Sequence, residues 1–294
     1  LFRRALVVFQ FSISIALVIG AVIIVQQNRF LLGKDLGYSS EQVLYLQSAG
    51  SASAVRAFRQ ELLKSPGILG VGLSDYLPHS STNWCYVTWE GAGPEDYMKM
   101  NVNYVDEDFV RTYGMTIVDG RDFSESMRNG PGNAVILNET AARKIGWPEP
   151  VGRRLRYNVD YRSRSVGGAT VVGVVKDFHF LSLHHPVGPI MLRLIPHDQG
   201  GQICSVRVAP DDIAASLASI KSAYRSFFPD ATFSYRFLDE DFQQMYLEER
   251  KAGRVVASLA LMAILIACLG IFGLSSYMRS EDHTYEHHSP PHIS

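Results

Sequence analysis

"VVASLALMAILIACLGIFGLSSY", residues 255–277, carries no charged side chain and is bracketed by Arg254 and Arg279. About 20 residues, each rising about 1.5 Å, cross a hydrocarbon layer about 30 Å thick, so this stretch is long enough to span a bilayer. A soluble helix of that length would show water a polar face at helical spacing. This one offers Ser258, Ser275 and Ser276. Val255 to Tyr277 therefore reads as a membrane span. The start of the chain repeats the signature: "ALVVFQFSISIALVIGAVIIVQQN", residues 5–28, follows Arg3 and Arg4 and precedes Arg29. A secretory signal shares the basic start and the apolar run. This run is too long for a signal's apolar region, and no small-x-small cleavage site follows Gln26 and Gln27. Ala5 to Val25 is thus expected to be a first span. Both chain ends then lie on one side of the membrane, with residues 30–254 forming a domain on the other.

The whole-chain figures, 47% hydrophobic residues and a net charge of −1, hide this division into two apolar ends and an ordinary middle. Of the charged residues, Arg3, Arg4, Arg29, Arg279, Glu281, Asp282 and Glu286 lie outside that middle. The domain is therefore nearly neutral, which excludes the electrostatic footprint of a nucleic-acid binder. Cys268 falls in the second apolar run, leaving Cys85 and Cys204 as the pair an oxidising compartment could join. The tail from residue 279 to 294 is His-rich and aperiodic. His283, His287, His288 and His292 could ligate a metal there, but a disordered or non-native end is the plainer reading.

Within the domain, "EQVLYLQ" (41–47) reads as a strand. "SAVRAFRQELLKSPG" reads as a helix with Val55, Phe58 and Leu62 on one face, Ser53 as N-cap and Pro66-Gly67 as its stop, and "ILGVGLS" as a second strand. The order returns late in the chain. "ICSVRVA" (203–209) precedes a helix capped by Asp211 or Asp212, with Ile213, Leu217, Ile220, Tyr224 and Phe227 or Phe228 as its buried stripe, and "TFSYRFL" follows. Two strand-helix-strand units so far apart predict one split βαβ layer, with the region between them inserted. That region is rich in short strands. "MKMNVNYV" alternates with period two, "MTIVDGRDF", "NAVILN", "RRLRYNV" and "ATVVGVVKDF" follow it, and short helices are expected near 106–113 and 139–145. The expected fold is α+β: a two-lobed domain between two transmembrane helices. Residues 30–81 with 190–238 form the βαβ lobe, and 82–189 the inserted β-rich lobe. From Asp239, a plausible N-cap, one helix could run unbroken through Tyr277. Its first half, 239–254 with Asp239, Phe242, Tyr246 and Arg250, would be a stalk outside the membrane, and the whole rod would be close to 60 Å long.

Chemistry is sparse. "GVGLSD" lacks the Gly-Lys-Ser/Thr end of a phosphate loop, so no nucleotide site is expected. Asp177, His179, His184 and His185 in "KDFHFLSLHHP" could form a metal site or supply a base, although a strand end and loop explain them equally simply. Gly120, Arg121 and Asp122 read as a tight turn with a structural ion pair. Arg153, Arg154, Arg156, Arg162 and Arg164 form a basic stretch that suits lipid headgroups, an acidic partner or plain solvation. No catalytic residue, cofactor or metal ligand is expected in this chain, which marks it as a non-enzyme.

Five segments, taken in order, resemble the MacB/FtsX-like family of bacterial ABC transporter permeases: "LFRRALVVFQFSISIALVIG", "YVDEDFVRTYGMTIVDGRDF", "AVILNETAARKIGWPEPVGRRLR", "VVGVVKDFHFLSLHHPVGPIMLR" and "FSYRFLDEDFQQMYLEERKAGRVVASLALMAILIACLGIFGLSSYM". The resemblance implies a two-lobed extracytoplasmic domain on a multi-pass protein of the bacterial inner membrane. It also implies four spans per permease module, an ABC-type ATPase partner, a second permease copy, and a periplasmic or outer-membrane partner. Two of those spans and the cytosolic coupling segment have no counterpart after Met278, so a half-permease fragment is expected. The implied mechanism is mechanotransmission, in which ATP-driven motion of the spans passes through the stalk to the outer domain. Positive charges near the spans, Arg3, Arg4 and Arg279 against Arg29, Lys34, Arg250, Lys251 and Arg254, do not set the orientation by themselves. The extracytoplasmic placement therefore comes from the resemblance. A membrane sensory receptor shares the layout of span, domain and span. It would continue into a heptad-spaced signalling helix, which the tail does not show.

Overall fold

The computed structural model describes residues 2–32, 34–80, 82–93, 95–129, 133–158, 166–181, 183, 185–196, 201–245, 251, 253–266, 268–270 and 272. The chain divides into two compact units, Asp35–Gln243 and the two chain ends, 1–34 with 244–294.

In the unit of the chain ends, α1 spans Phe2–Leu32. A second helix, Gly253–Gly270, is long and apolar enough to cross a membrane by length and composition. Only 12% of it is buried, whereas a soluble core helix would be mostly covered. Ser258 lies within it and donates its hydroxyl to the Val255 carbonyl at 2.8 Å, as Ser12 does to Val8 at 2.9 Å in α1. These two hydroxyls are thus satisfied without water. In α1 the apolar stretch among the described residues is the shorter Val8–Ile24, so Gly253–Gly270 is the one candidate span found among them. Ala5 and Val25 both fall within α1 and Val255 lies on the exposed terminal helix, while Tyr277 lies outside the described residues. The four tail histidines lie outside them as well.

In the unit Asp35–Gln243, β1 (Val43–Gln47), α2 (Ala52–Leu62) and β2 (Ile68–Ser74) follow the first expected strand-helix-strand unit. The N-cap is Ser51 rather than Ser53: its hydroxyl accepts from the Ala54 amide at 3.3 Å, and Ser53 bonds to Ser51 instead. The second unit is β10 (Ile203–Val208), α5 (Ile213–Phe227) and β11 (Tyr235–Phe237). Asp212 holds the cap position of α5 without a side-chain bond. The strands run β11-β1-β10-β2, each neighbour antiparallel to the next. Each βαβ unit thus holds a strand of the other between its own two, which is the split arrangement. One face of this sheet, with Leu44, Leu46, Val71, Val206 and Cys204, meets Phe58 of α2 and Ile220 and Tyr224 of α5.

Between β2 and β10 the chain builds β3 (Asn83–Trp89), β4 (Met98–Val105), α3 (Phe109–Thr112), β5 (Ile117–Gly120), β6 (Asn133–Asn138), α4 (Glu139–Ile145), β7 (Arg154–Asn158), β8 (Val166–Val175) and β9 (Ile190–Leu194). The pairings β4–β3, β3–β7, β7–β8, β8–β6, β6–β9 and β9–β4 return to their starting strand. They therefore close a six-stranded barrel. β9 belongs to this ring, so the expected start of the returning βαβ lobe at residue 190 is too early by one strand. Strand alternation points Val87, Met100, Val102, Leu155, Tyr157, Val171 and Met191 inward, and these side chains form a core of their own. Arg193 shares that interior. It is 9% exposed, its guanidinium lies 4.1 Å from the Tyr157 ring centre and 4.7 Å from that of Tyr104, and it donates to the Tyr104 hydroxyl at 2.6 Å.

A third apolar cluster joins barrel and sheet: Val43, Val105, Phe109, Tyr113, Phe178, Ile190, Leu192 and Leu238. Both faces of the small sheet are therefore covered. α3 lies on β2 at Gly70 and Gly72, where an added Cβ would meet Thr112 Oγ1 at 3.2 Å and Phe109 Cα at 3.1 Å. The glycines of "GVGLSD" thus serve a close helix approach. An ionic node reinforces the junction. Arg59 of α2 reaches Asp106, fully buried, at 3.2 Å, Glu107 at 3.5 Å, and Asp108.

Candidate functional site

The chain leaves the unit Asp35–Gln243 through α6 (Leu238–Met245), and the division between the two units falls inside this helix. The helix starts at Leu238, so Asp239 sits in its first turn rather than at the cap. Asp239, Glu240 and Asp241 together place negative charge where the helix dipole favours it. Leu238 is fully buried in the cluster between sheet and barrel. Asp241 points back at the sheet, where its carboxylate accepts from the Tyr45 hydroxyl of β1 and pairs with Arg236 Nε of β11 at 3.1 Å. The edge strand of the sheet and its neighbour are thereby tied to the first turn of the outgoing helix.

The joint favours neutral forms of the groups around the carboxylate. Burial first, and then the bond to Asp241, push the Tyr45 phenol up to about 12. Burial holds His79 below the ordinary imidazole value against the pull of Asp241, and its Nδ1 is buried without a hydrogen-bond partner. Among the described residues the carboxylate thus has Arg236 as a charged partner and Tyr45 as a phenolic donor, which tie the first turn of α6 to β11 and β1.

Sequence pattern marks the start of this helix but not its partners. Of the expected stalk residues, Asp239 and Phe242 lie in α6, while Tyr246 and Arg250 lie outside the described residues, as does the continuity of the helix across 246–250. Nothing in sequence pattern links Tyr45 to Asp241 across 196 positions.

The other candidates resolve into structural roles. Asp177 accepts from the Thr140 amide at 2.8 Å, the Thr140 hydroxyl at 2.7 Å and Asn138 Nδ2 at 2.7 Å, while its own amide donates to Glu139 at 2.9 Å. It therefore knots the end of β8 to the start of α4. His179 is buried, and its amide donates to the Leu36 carbonyl at 2.8 Å. His184 lies outside the described residues, and no three metal-ligating side chains gather among the described ones. Gly120 turns with φ +71° where a Cβ would strike the Val172 carbonyl at 2.4 Å. The adjacent Arg121 is exposed, and its amide donates to Val172 at 3.0 Å. The ion pair expected there is replaced by backbone bonding, with the Asp122 carboxylate accepting from the Phe123 amide at 2.7 Å. Cys85 and Cys204 are both free rather than joined. One lies in barrel strand β3 and the other in sheet strand β10, within separate cores. Burial raises both thiols, Cys85 to about 11. Of the basic stretch, Arg153, Arg154 and Arg156 stand exposed on β7 and just before it, and Arg162 and Arg164 lie outside the described residues.

Comparison with known proteins supplies the family. Three solved structures are similar in part: the periplasmic region of MacB from Actinobacillus actinomycetemcomitans, the extracellular domain of the noncanonic ABC-type transporter YknZ from Gram-positive bacteria, and a domain of a putative permease protein from Porphyromonas gingivalis. Their identities are 16%, 15% and 18%, over 73%, 66% and 68% of this chain and 97%, 96% and 90% of theirs, with TM-scores of 0.49, 0.45 and 0.44. A search of curated proteins gave no match. The sequence profile of the MacB-like periplasmic core domain matches residues 5–222, most of the chain. On that match the chain belongs to the family of the MacB-like periplasmic core domain and is a MacB-like permease relative.

Proposed function

We propose that this chain is a permease component of an ABC-type transporter, in which a partner ATPase drives movement of the outer domain through the outgoing helix. The observation that carries this reading is the joint. Leu238 and Asp241 fix the first turn of α6 to the sheet, and the same chain continues into the apolar helix Gly253–Gly270. A helix bound at one end to a packed domain passes on a displacement that a flexible linker would absorb. In this reading α1 and the terminal helix are both membrane spans, the unit Asp35–Gln243 lies outside the cytoplasm of a bacterium, and sheet and barrel act as two lobes. A second permease copy and an ATPase pair complete the assembly, and a periplasmic or outer-membrane protein receives the motion or the cargo.

Inserting a run of glycines beside Gly253, in the full permease with its ATPase, tests this. The expected outcome is continued ATP hydrolysis with substrate movement lost. Unchanged coupling would refute the proposal.

A further inference from the structure

A cavity of about 940 Å³ opens on the outer face of the barrel, away from the joint. Its floor is a row across three strands, since Thr88 of β3 faces Arg156 of β7, which faces Gly168 of β8. Leu155 and Tyr157 point into the barrel, so Arg154 and Arg156, two residues apart, project together to the outside. Arg154 leans across β8: a Cβ added at Gly168 would stand 3.7 Å from its Nη2. Arg154 thus borders a position that has no side chain, and Arg156 lines the same cavity. Among the described residues neither has a carboxylate partner, and the nearby Glu90 carboxylate is directed to Arg153 at 3.9 Å.

The same face continues as an aromatic strip. Trp84 and Tyr86 meet edge to face at 5.5 Å, Tyr86 and Tyr97 do the same at 5.5 Å, and Lys99 lies 4.2 Å over the Trp84 ring. A single guanidinium fork satisfies a carboxylate in a bidentate pair, whereas two forks match the additional oxygens of a phosphate. A concave surface with a glycine floor leaves room for the body of a small molecule.

We propose that this cavity binds a small phosphate-bearing molecule, with the phosphate held by Arg154 and Arg156 and the rest of the ligand along Thr88 and Gly168. The phosphate can belong to a soluble sugar phosphate or to a lipid headgroup.

The test uses the whole chain in a non-ionic detergent that carries no phosphate. Glucose 6-phosphate, glucose and a short-chain phosphatidylglycerol are titrated separately by calorimetry. Saturable binding of glucose 6-phosphate but not glucose is expected, weakening as salt is raised. Binding of the phosphatidylglycerol alone would support the site and assign its phosphate to lipid. In either case the double substitution Arg154→Ala, Arg156→Ala should weaken binding by about tenfold or more. Gly168→Glu should abolish it by placing a carboxylate beside Arg154. Among the described residues the nearest contact of an added Cβ there is 3.7 Å, and an unchanged melting curve verifies the fold. Absence of binding by both phosphate probes, or binding that survives both sets of substitutions, overturns the proposal.

Discussion

The sheet region and the barrel each bury an arginine, and they treat it in opposite ways. In the sheet region Arg59 faces Asp106, Glu107 and Asp108, and its Nε also donates to the Val71 carbonyl at 3.3 Å. In the barrel Arg193 meets two tyrosine rings and one phenolic hydroxyl, and its Nε has no hydrogen-bond partner. The first is a charge on which other buried charges depend. The second is a long, flat side chain that fills the end of a closed core, with its charge spread over aromatic faces. A buried charge is therefore a poor guide to stability until its partners are counted.

Substitutions that remove each charge while keeping its volume sharpen the contrast. Arg59→Met removes the charge that faces the fully buried Asp106, while Asp108 keeps Arg111, and should cost about 3–5 kcal/mol in chemical denaturation. A loss below about 1 kcal/mol would remove the distinction between the two regions. Tyr45→Phe deletes a donor to a carboxylate that Arg236 still pairs, so a smaller loss of about 1–2 kcal/mol is expected. It also carries a signature in pH. The folded Tyr45 phenol ionises at about 12, above its unfolded value near 10. Its stabilisation is therefore complete below pH about 10 and lost as pH rises towards about 12, and alkaline denaturation of Tyr45→Phe should lack this component. Ser51→Ala removes the cap of α2 and should cost about 1 kcal/mol. Arg193→Met leaves no carboxylate behind and should change stability least, within about 1 kcal/mol in either direction. His79 contributes on the acid side. Its folded pKa lies below the unfolded value of about 6.5, so its contribution holds above that pH and fades as pH falls, and His79→Asn should flatten that slope in thermal melts.

The two regions also differ in how far the sequence reveals them. Val55, Phe58 and Leu62, and Ile220 and Tyr224, fall at helical spacing and are buried as that spacing predicts. The two strand-helix-strand units therefore point to their interlocked sheet. In the barrel, strand β3 was hidden because both of its faces are apolar or aromatic. Cys85, Val87 and Trp89 turn inward, while Trp84 and Tyr86 form the outer strip, so alternation in polarity disappears. β9, "IMLRL", is likewise apolar on both faces, with Met191 in the barrel and Ile190 and Leu192 against the sheet. Closure of the ring rests on pairings between distant segments, which local pattern does not encode. For the joint, the outgoing helix was legible from its acidic start. Its anchors were not, because Tyr45 and Arg236 look like ordinary strand residues until the fold brings them to Asp241.

The register at the barrel's root has an engineering consequence. Ser74, the last residue of β2, stands directly opposite Ile203, the first residue of β10, in an antiparallel pair. Opposed residues of this kind have Cα atoms about 5 Å apart, so a tight hairpin turn could take the place of everything from 75 to 202 without re-routing a single strand of the small sheet. The barrel is thus a graft whose two stems emerge side by side, removable in topology. It is not removable in energy, because excision would strip Val43 and Leu238 of their cover and bare the face from which α6 departs.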